Sequence, residues 1–167
     1  MVIPEGTLGS RIDAVARMAL WQHGLDYNHG TGHGVGAFLN VHEGPQGVGS
    51  RYREGEAGFQ KGMTISNEPG YYEEGAFGIR IETILIAVEK QTAHNFNSKK
   101  YLGFETITMT PMSTGLIDPS LLTDTEVDWI NTYHAQVREK LLPLMQETFP
   151  QSADFLIRET EPISKAQ

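Results

Sequence analysis

The sequence predicts an α+β fold, mainly antiparallel strands packed with helices, and three observations carry that expectation. A helix-periodic segment opens the chain from Thr7 to His23. Strand patterns crowd the middle, between Met63 and Thr110. A capped helical pattern then starts at Thr123. Strands grouped apart from helices are what this class requires.

In the first helix Thr7 is the expected cap and Gly24 the expected left-handed stop. Ile12, Val15, Ala16, Ala19 and Leu20 recur at helical spacing and predict one apolar face. From Tyr27 to Gly49 glycine is too frequent for a helix interior, so short strands and turns are expected, with Ala37–Val41 the best strand. Arg51–Lys61 reads as an exposed loop. Met63–Glu68 reads as a strand stopped by the Pro69-Gly70 turn signal. Ile79–Val88, rich in isoleucine and valine, reads as one continuous strand, and Phe104–Thr110 as another. Thr123-Asp124-Thr125-Glu126 fits a capping box. Val127, Ile130, Val137 and Leu141 give the following helix a stripe to bury, in a core or in an interface. Pro143 is expected to end or kink it, and a last short helix is expected near Ala153–Glu159.

Composition removes several function classes. With 13 Lys+Arg against 21 Asp+Glu, the net charge of −8 offers no basic stripe, which argues against nucleic acid or an anionic membrane as partner. There is no cysteine, so disulfides, zinc knuckles and thiol nucleophiles are excluded. No stretch approaches the roughly 18 apolar residues of a membrane-spanning helix. Met1–Glu5 lacks the basic-then-apolar pattern of a signal peptide.

Three segments carry chemistry. In Gly78-Ile79-Arg80-Ile81-Glu82, strand alternation puts Arg80 and Glu82 on the face shared by Ile84 and Ile86. Ions on a core face must be paired or bound to metal; an Arg80–Glu82 pair at the sheet rim is the simpler reading. In Asn67-Glu68-Pro69-Gly70 a second carboxylate stands at a strand end, either as a solvated turn residue or as part of a site built there. His29, His33 and His42 fall within fourteen residues, interleaved with Gly30, Gly32, Gly34 and Gly36. So little side chain lets backbone approach a ligand and leaves the imidazoles as the functional groups. Gly-Thr-Gly between His29 and His33 excludes the helical H-E-x-x-H zinc motif, and neither a phosphate loop nor a serine elbow is present.

Taken in order, His29-Gly-Thr-Gly-His33-Gly-Val-Gly, Val41-His42-Glu43-Gly44-Pro45, Asn67-Glu68-Pro69-Gly70-Tyr71-Tyr72 and Gly78-Ile79-Arg80-Ile81-Glu82 resemble the motifs of the pita-bread metallopeptidases. Leu39–Pro45, the tyrosine pair and the tail through Trp129, Tyr133 and Ile157–Thr160 look like the eukaryotic cytosolic Xaa-Pro aminopeptidases, over Ile3–Lys165. The resemblance implies a partial pita-bread catalytic domain over residues 1–110 and a family-specific helical extension over 111–167. It implies release of an N-terminal residue from peptides with proline second, in the cytoplasm, by an enzyme that is a homodimer at full length.

That family uses two divalent ions, usually manganese, held by two aspartates, one histidine and two glutamates. His33, Glu68 and Glu82 match the histidine and the two glutamates. By the same resemblance Glu68 also relays a proton to the leaving proline nitrogen, and His42 steadies the carbonyl oxygen. His29 lines the substrate pocket, and Arg80 fixes the carboxylate ligands. The family's two aspartates and a further histidine lie upstream of the helix at Thr7, and neither Asp13 nor Asp26 matches their motifs. The expectation is therefore three of five ligands, weak metal binding, no catalysis by this chain alone, and a fragment or truncated gene product with an uncovered sheet edge and apolar face. Three other readings compete: a non-catalytic binding or dimer-forming remnant, a prolidase-type dipeptidase, and a mononuclear iron site of one histidine and two carboxylates.

Overall fold

Apolar alternation in the middle of the chain produces a four-stranded antiparallel sheet in the order β1-β8-β7-β4. Its strands are β1 (Ile3–Pro4), β4 (Thr64–Asn67), β7 (Thr83–Glu89) and β8 (Tyr101–Thr106). Ile3, Phe59, Ile65, Ala87 and Leu102 form its core, with Ile12, Val48, Leu85 and Phe104 packed around them. The computed structural model describes residues 1–165, which divide into two compact units, Met1–Thr108 and the remainder from Met109. No helix among the described residues is long and apolar enough to cross a membrane.

In the first unit helix α1 (Asp13–Trp21) is shorter than expected. A 3₁₀ turn, Gly9–Arg11, precedes it, and the Thr7 hydroxyl donates to Pro4 O instead of capping. Close packing is the reason: a Cβ on Gly9 would lie 1.7 Å from Gly47 O, so the chain passes flat against β3 (Gly47–Val48) before it can coil. Gly24 ends the helical segment at φ +71°, as expected. The expected apolar face is corrected: Val15 is 53% exposed, and α1 buries Asp13 and Arg17 instead.

The expected strand Ala37–Val41 is a turn. Phe38 and Leu39 take φ of 51° and 65°, closed by Gly36 N–H to Asn40 O and Asn40 N–H to Ala37 O. This turn is the tip of an irregular hairpin whose base pairs β2 (Gly32–His33) with β3. The loop Arg51–Lys61 is not wholly exposed, because Phe59 is a core residue.

The expected single strand Ile79–Val88 is two. β5 (Gly70–Glu73) pairs with β6 (Phe77–Arg80), and β4 pairs with β7. The registers end at Asn67↔Thr83 and resume at Gly70↔Arg80, so both strands leave the ladder at the same level. Pro69 has no N–H to offer a ladder, and the Glu68 N–H turns to Thr31 O in β2's approach instead (2.8 Å). Glu68 and Glu82 occupy the two sides of that break. Phe77 and Ile79 stay exposed on the β5–β6 arm, as do Ile81 in the break and Trp21 on α1.

The second unit is helical. α2 (Asp124–Thr148) opens with the expected capping box, Thr123 Oγ1 accepting from Glu126 N–H and Glu126 Oε2 from Thr123 N–H. Ile130, Tyr133 and Val137 pack with Met112 and with Leu156 of α3 (Pro150–Glu159). α2 runs past Pro143 because Leu141, Leu142 and Met145, on both sides of it, pack against this core, outweighing one lost hydrogen bond. His134 is fully buried; its Nε2 accepts from Met112 N–H at 3.0 Å, so the ring proton sits on Nδ1, which has no partner among the described residues. Burial first, and then Arg138, push its pKa below the ordinary 6.5, against an opposing pull from Glu159. The folded ring binds fewer protons than the unfolded one, so its contribution is complete above 6.5 and is lost as pH falls below it towards the folded value. Thermal unfolding read by Trp129 fluorescence in a Trp21→Phe background should therefore shift down between about pH 7.5 and pH 5. His134→Gln, whose amide oxygen keeps the bond, should flatten that dependence.

Candidate metal centre

Every residue of the candidate site hangs on the strand break and the hairpin above it. His33 follows Gly32, where a Cβ would meet Ser66 O at 1.9 Å; only glycine lets β2 lie this close to β4. That approach puts the His33 N–H on Ser66 Oγ (2.9 Å), while the Ser66 hydroxyl donates to Glu68 Oε1 (2.9 Å). Glu68 itself is 8% exposed. Its Oε1 lies 3.1 Å from His33 Nε2, and its Oε2 accepts from Arg80 Nη1 at 3.2 Å.

One ligand atom each from His33, Glu68 and Glu82 fall within 4.8 Å of one another. The donor chemistry fits a divalent cation. His33 Nδ1 lies 2.9 Å from Gly34 O; a proton there satisfies the carbonyl and leaves the Nε2 lone pair towards Glu68. Two acceptors at that separation are satisfied by a shared cation or by a second proton on the ring. Imidazole with two carboxylates is a donor set suited to manganese and its neighbours.

The other expected residues gather around this cluster. His42 lies against His33 with ring centroids 4.1 Å apart. His29, His33, His42, Glu68 and Arg80 line one cleft of about 590 Å³. The rim pair Arg80–Glu82 does not form among the described residues; Arg80 pairs with Glu68 instead. Its Nε also donates to the Tyr72 hydroxyl (2.7 Å), and that bond foremost raises the Arg80 pKa. Tyr72 in turn donates to His29 Nε2 (2.8 Å), with His29 Nδ1 bonded to Gly30 O. Tyr72 thus joins His29 to Arg80, and Ser66 joins His33 to Glu68; sequence reasoning missed both. Tyr72 stood in a quoted motif without a role, and Ser66 carried no signal of its own.

Comparison with known proteins places the chain in a family. The pattern described as "Metallopeptidase family M24" matches residues 1–89, and "C-terminal region of peptidase_M24" matches 100–163. A probable Xaa-Pro aminopeptidase P of Coprinopsis cinerea is 56% identical over 97% of this chain and 26% of that protein. One from Penicillium rubens is 54% identical over 98% and 27%. An X-prolyl aminopeptidase from Caenorhabditis elegans, described as a cytosolic enzyme with a di-nuclear active site, superposes with a TM-score of 0.89 at 38% identity, covering 98% of this chain and 26% of that one. The chain therefore spans about a quarter of the length of the curated relatives it matches. Its mixed helices and curled antiparallel sheet are those of the pita-bread peptidases. On the matched pattern and the shared fold, the chain belongs to metallopeptidase family M24.

Proposed function

We propose that this chain supplies His33, Glu68 and Glu82 as metal ligands of an aminopeptidase that releases the N-terminal residue from peptides with proline second. The observation that carries the reading is the convergence of those three donor atoms, one from β2 and two from the facing sides of the strand break. When bound, a pair of divalent ions, manganese by donor type, would polarise the scissile carbonyl and activate water. The chain's own side chains do the rest. Arg80 and Ser66 fix the two oxygens of Glu68. So held, the carboxylate can carry a proton from the attacking water to the leaving proline nitrogen. His42, beside His33, donates towards the carbonyl oxygen as charge develops there. His29, anchored by Tyr72, lines the cleft where substrate lies. The likeness to the worm enzyme supports a cytoplasmic location, and the family supports a homodimer at full length.

Manganese titration followed by electron paramagnetic resonance tests the site. The expected result is weak binding without a tight two-ion stoichiometry, and peptide hydrolysis by the chain alone is not expected. Glu82→Gln and Glu68→Gln should each weaken binding by about tenfold or more, the scale at which even supporting residues affect metal affinity. Two tightly bound ions, or binding indifferent to both variants, contradicts the assignment. Hydrolysis of Arg-Pro-Pro by the full-length protein supports the aminopeptidase; cleavage of Gly-Pro alone points to a prolidase.

A further inference from the structure

The buried face of α1 is charged, and none of the roles above uses it. Asp13 and Arg17 are 2% and 4% exposed, one helical turn apart, and paired at 2.7 Å. Arg17 spends its remaining donors on the segment that leads to His33: Nη1 on Asp26 Oδ1 (2.8 Å) and Tyr27 O (2.6 Å), Nη2 on His29 O (2.8 Å). Its guanidinium lies 3.9 Å over the Tyr27 ring. Burial works against its charge, yet the bonds to Asp13 and Asp26 outweigh it and raise the Arg17 pKa further. Trp21 Nε1–H and Arg17 hold the Asp26 carboxyl down at about 2.

The second arm runs through Thr31. Its hydroxyl donates to Asp13 Oδ1 and accepts from the Tyr27 hydroxyl, both at 2.5 Å. Its carbonyl accepts the Glu68 N–H, and it stands two residues before His33. One buried ion pair thus grips the chain at His29 and at Thr31, and Thr31 is bonded to the backbone of Glu68. A buried ion pair is seldom worth more than an apolar pair of similar volume, so stability alone does not explain it. Beyond each other, Asp13 and Arg17 bond to Asp26, Tyr27, His29 and Thr31, all in the segment that leads to His33.

We propose that Asp13 and Arg17 are positioning residues, which act through Thr31 and the His29 carbonyl to set His33 and Glu68 at the separation a divalent cation needs. The proposal rests on the metal reading of His33 and Glu68, and the test separates the two. Thr31→Val removes the hydroxyl that joins Asp13 to the loop at nearly constant volume; Thr31→Ser restores it. Arg17→Met is the stronger variant. The probes are manganese affinity and, in metal-free protein, the imidazole N–H resonances of His29 and His33, which report their bonds to Gly30 O and Gly34 O. Thr31→Val is expected to lower manganese affinity about 10- to 100-fold, as other supporting residues do, with Thr31→Ser recovering most of it. It should also broaden or lose both imidazole signals while circular dichroism stays native. Unchanged affinity and unchanged imidazole signals in a folded Thr31→Val overturn the proposal, as does failure of Thr31→Ser to recover either. Should the parent bind no manganese while Thr31→Val alone loses the imidazole signals, the metal reading fails and the positioning role stands. Should Arg17→Met not fold, the threonine pair still decides.

Discussion

Replacing Gly32 by alanine should destabilise the first unit by about 3 kcal/mol, at the upper end of what an overpacked methyl costs. The added Cβ would stand 1.9 Å from Ser66 O and 3.0 Å from its carbonyl carbon, both backbone atoms that cannot swing aside as a side-chain tip can. Relief requires β2 to move off β4. That movement lengthens His33 N–H to Ser66 Oγ and the bond from the Glu68 N–H to Thr31 O. Denaturant unfolding should show the lower midpoint, and manganese titration should show weakened binding under conditions where the variant is still folded. Gly115→Ala is the control: nothing lies within 4 Å of its Cβ position and its φ is not left-handed, so a change of about 0.5 kcal/mol or less is expected.

Arg17→Met should cost about 3–5 kcal/mol, the usual penalty for removing one partner of a buried ion pair. Asp13 would keep its carboxylate in the interior with Thr31 as its remaining side-chain donor among the described residues, and Tyr27 O and His29 O would lose the Arg17 donors. Pairing the change with Asp13→Leu should recover part of the loss, since the uncompensated charge is then gone, but not all of it, because the two carbonyls stay unmet. A double-mutant cycle in denaturant measures both contributions. Additive single effects would mean the pair is not coupled.

Much of the site was legible from its motifs taken together. Each motif alone left a plainer reading open; the resemblance carried by the four in order implied His33, Glu68 and Glu82 as ligands, and their ligand atoms do converge. Less legible was how they are held. Alternation along Ile79–Val88 suggested one strand with Arg80 and Glu82 on a common face, but Pro69, 12 to 13 residues before the break and between the partner strands β4 and β5, decides where this one breaks. No window along a single segment contains that information. The first helix failed for a similar reason. Val15 and Ala19 fit an apolar stripe by period, whereas the buried face is set by an aspartate and an arginine whose partners beyond each other lie 9 to 18 residues away. The capping box at Thr123 was read correctly because its donors and acceptors are all local.

The matched interruption of β4–β5 and β6–β7 makes Glu68 and Glu82 the two shoulders of a single protruding arm. Everything beyond them, from Gly70 to Arg80, is one self-paired ribbon that closes through Gly75 at φ +74°. Lengthening or shortening that ribbon by residue pairs leaves its shoulders where they are. An unpaired insertion within either strand would instead rotate one shoulder to the opposite side of the sheet. The arm is thus the part of the molecule where size can drift between relatives without disturbing the spacing of the two acids, and where an odd change would be the most damaging.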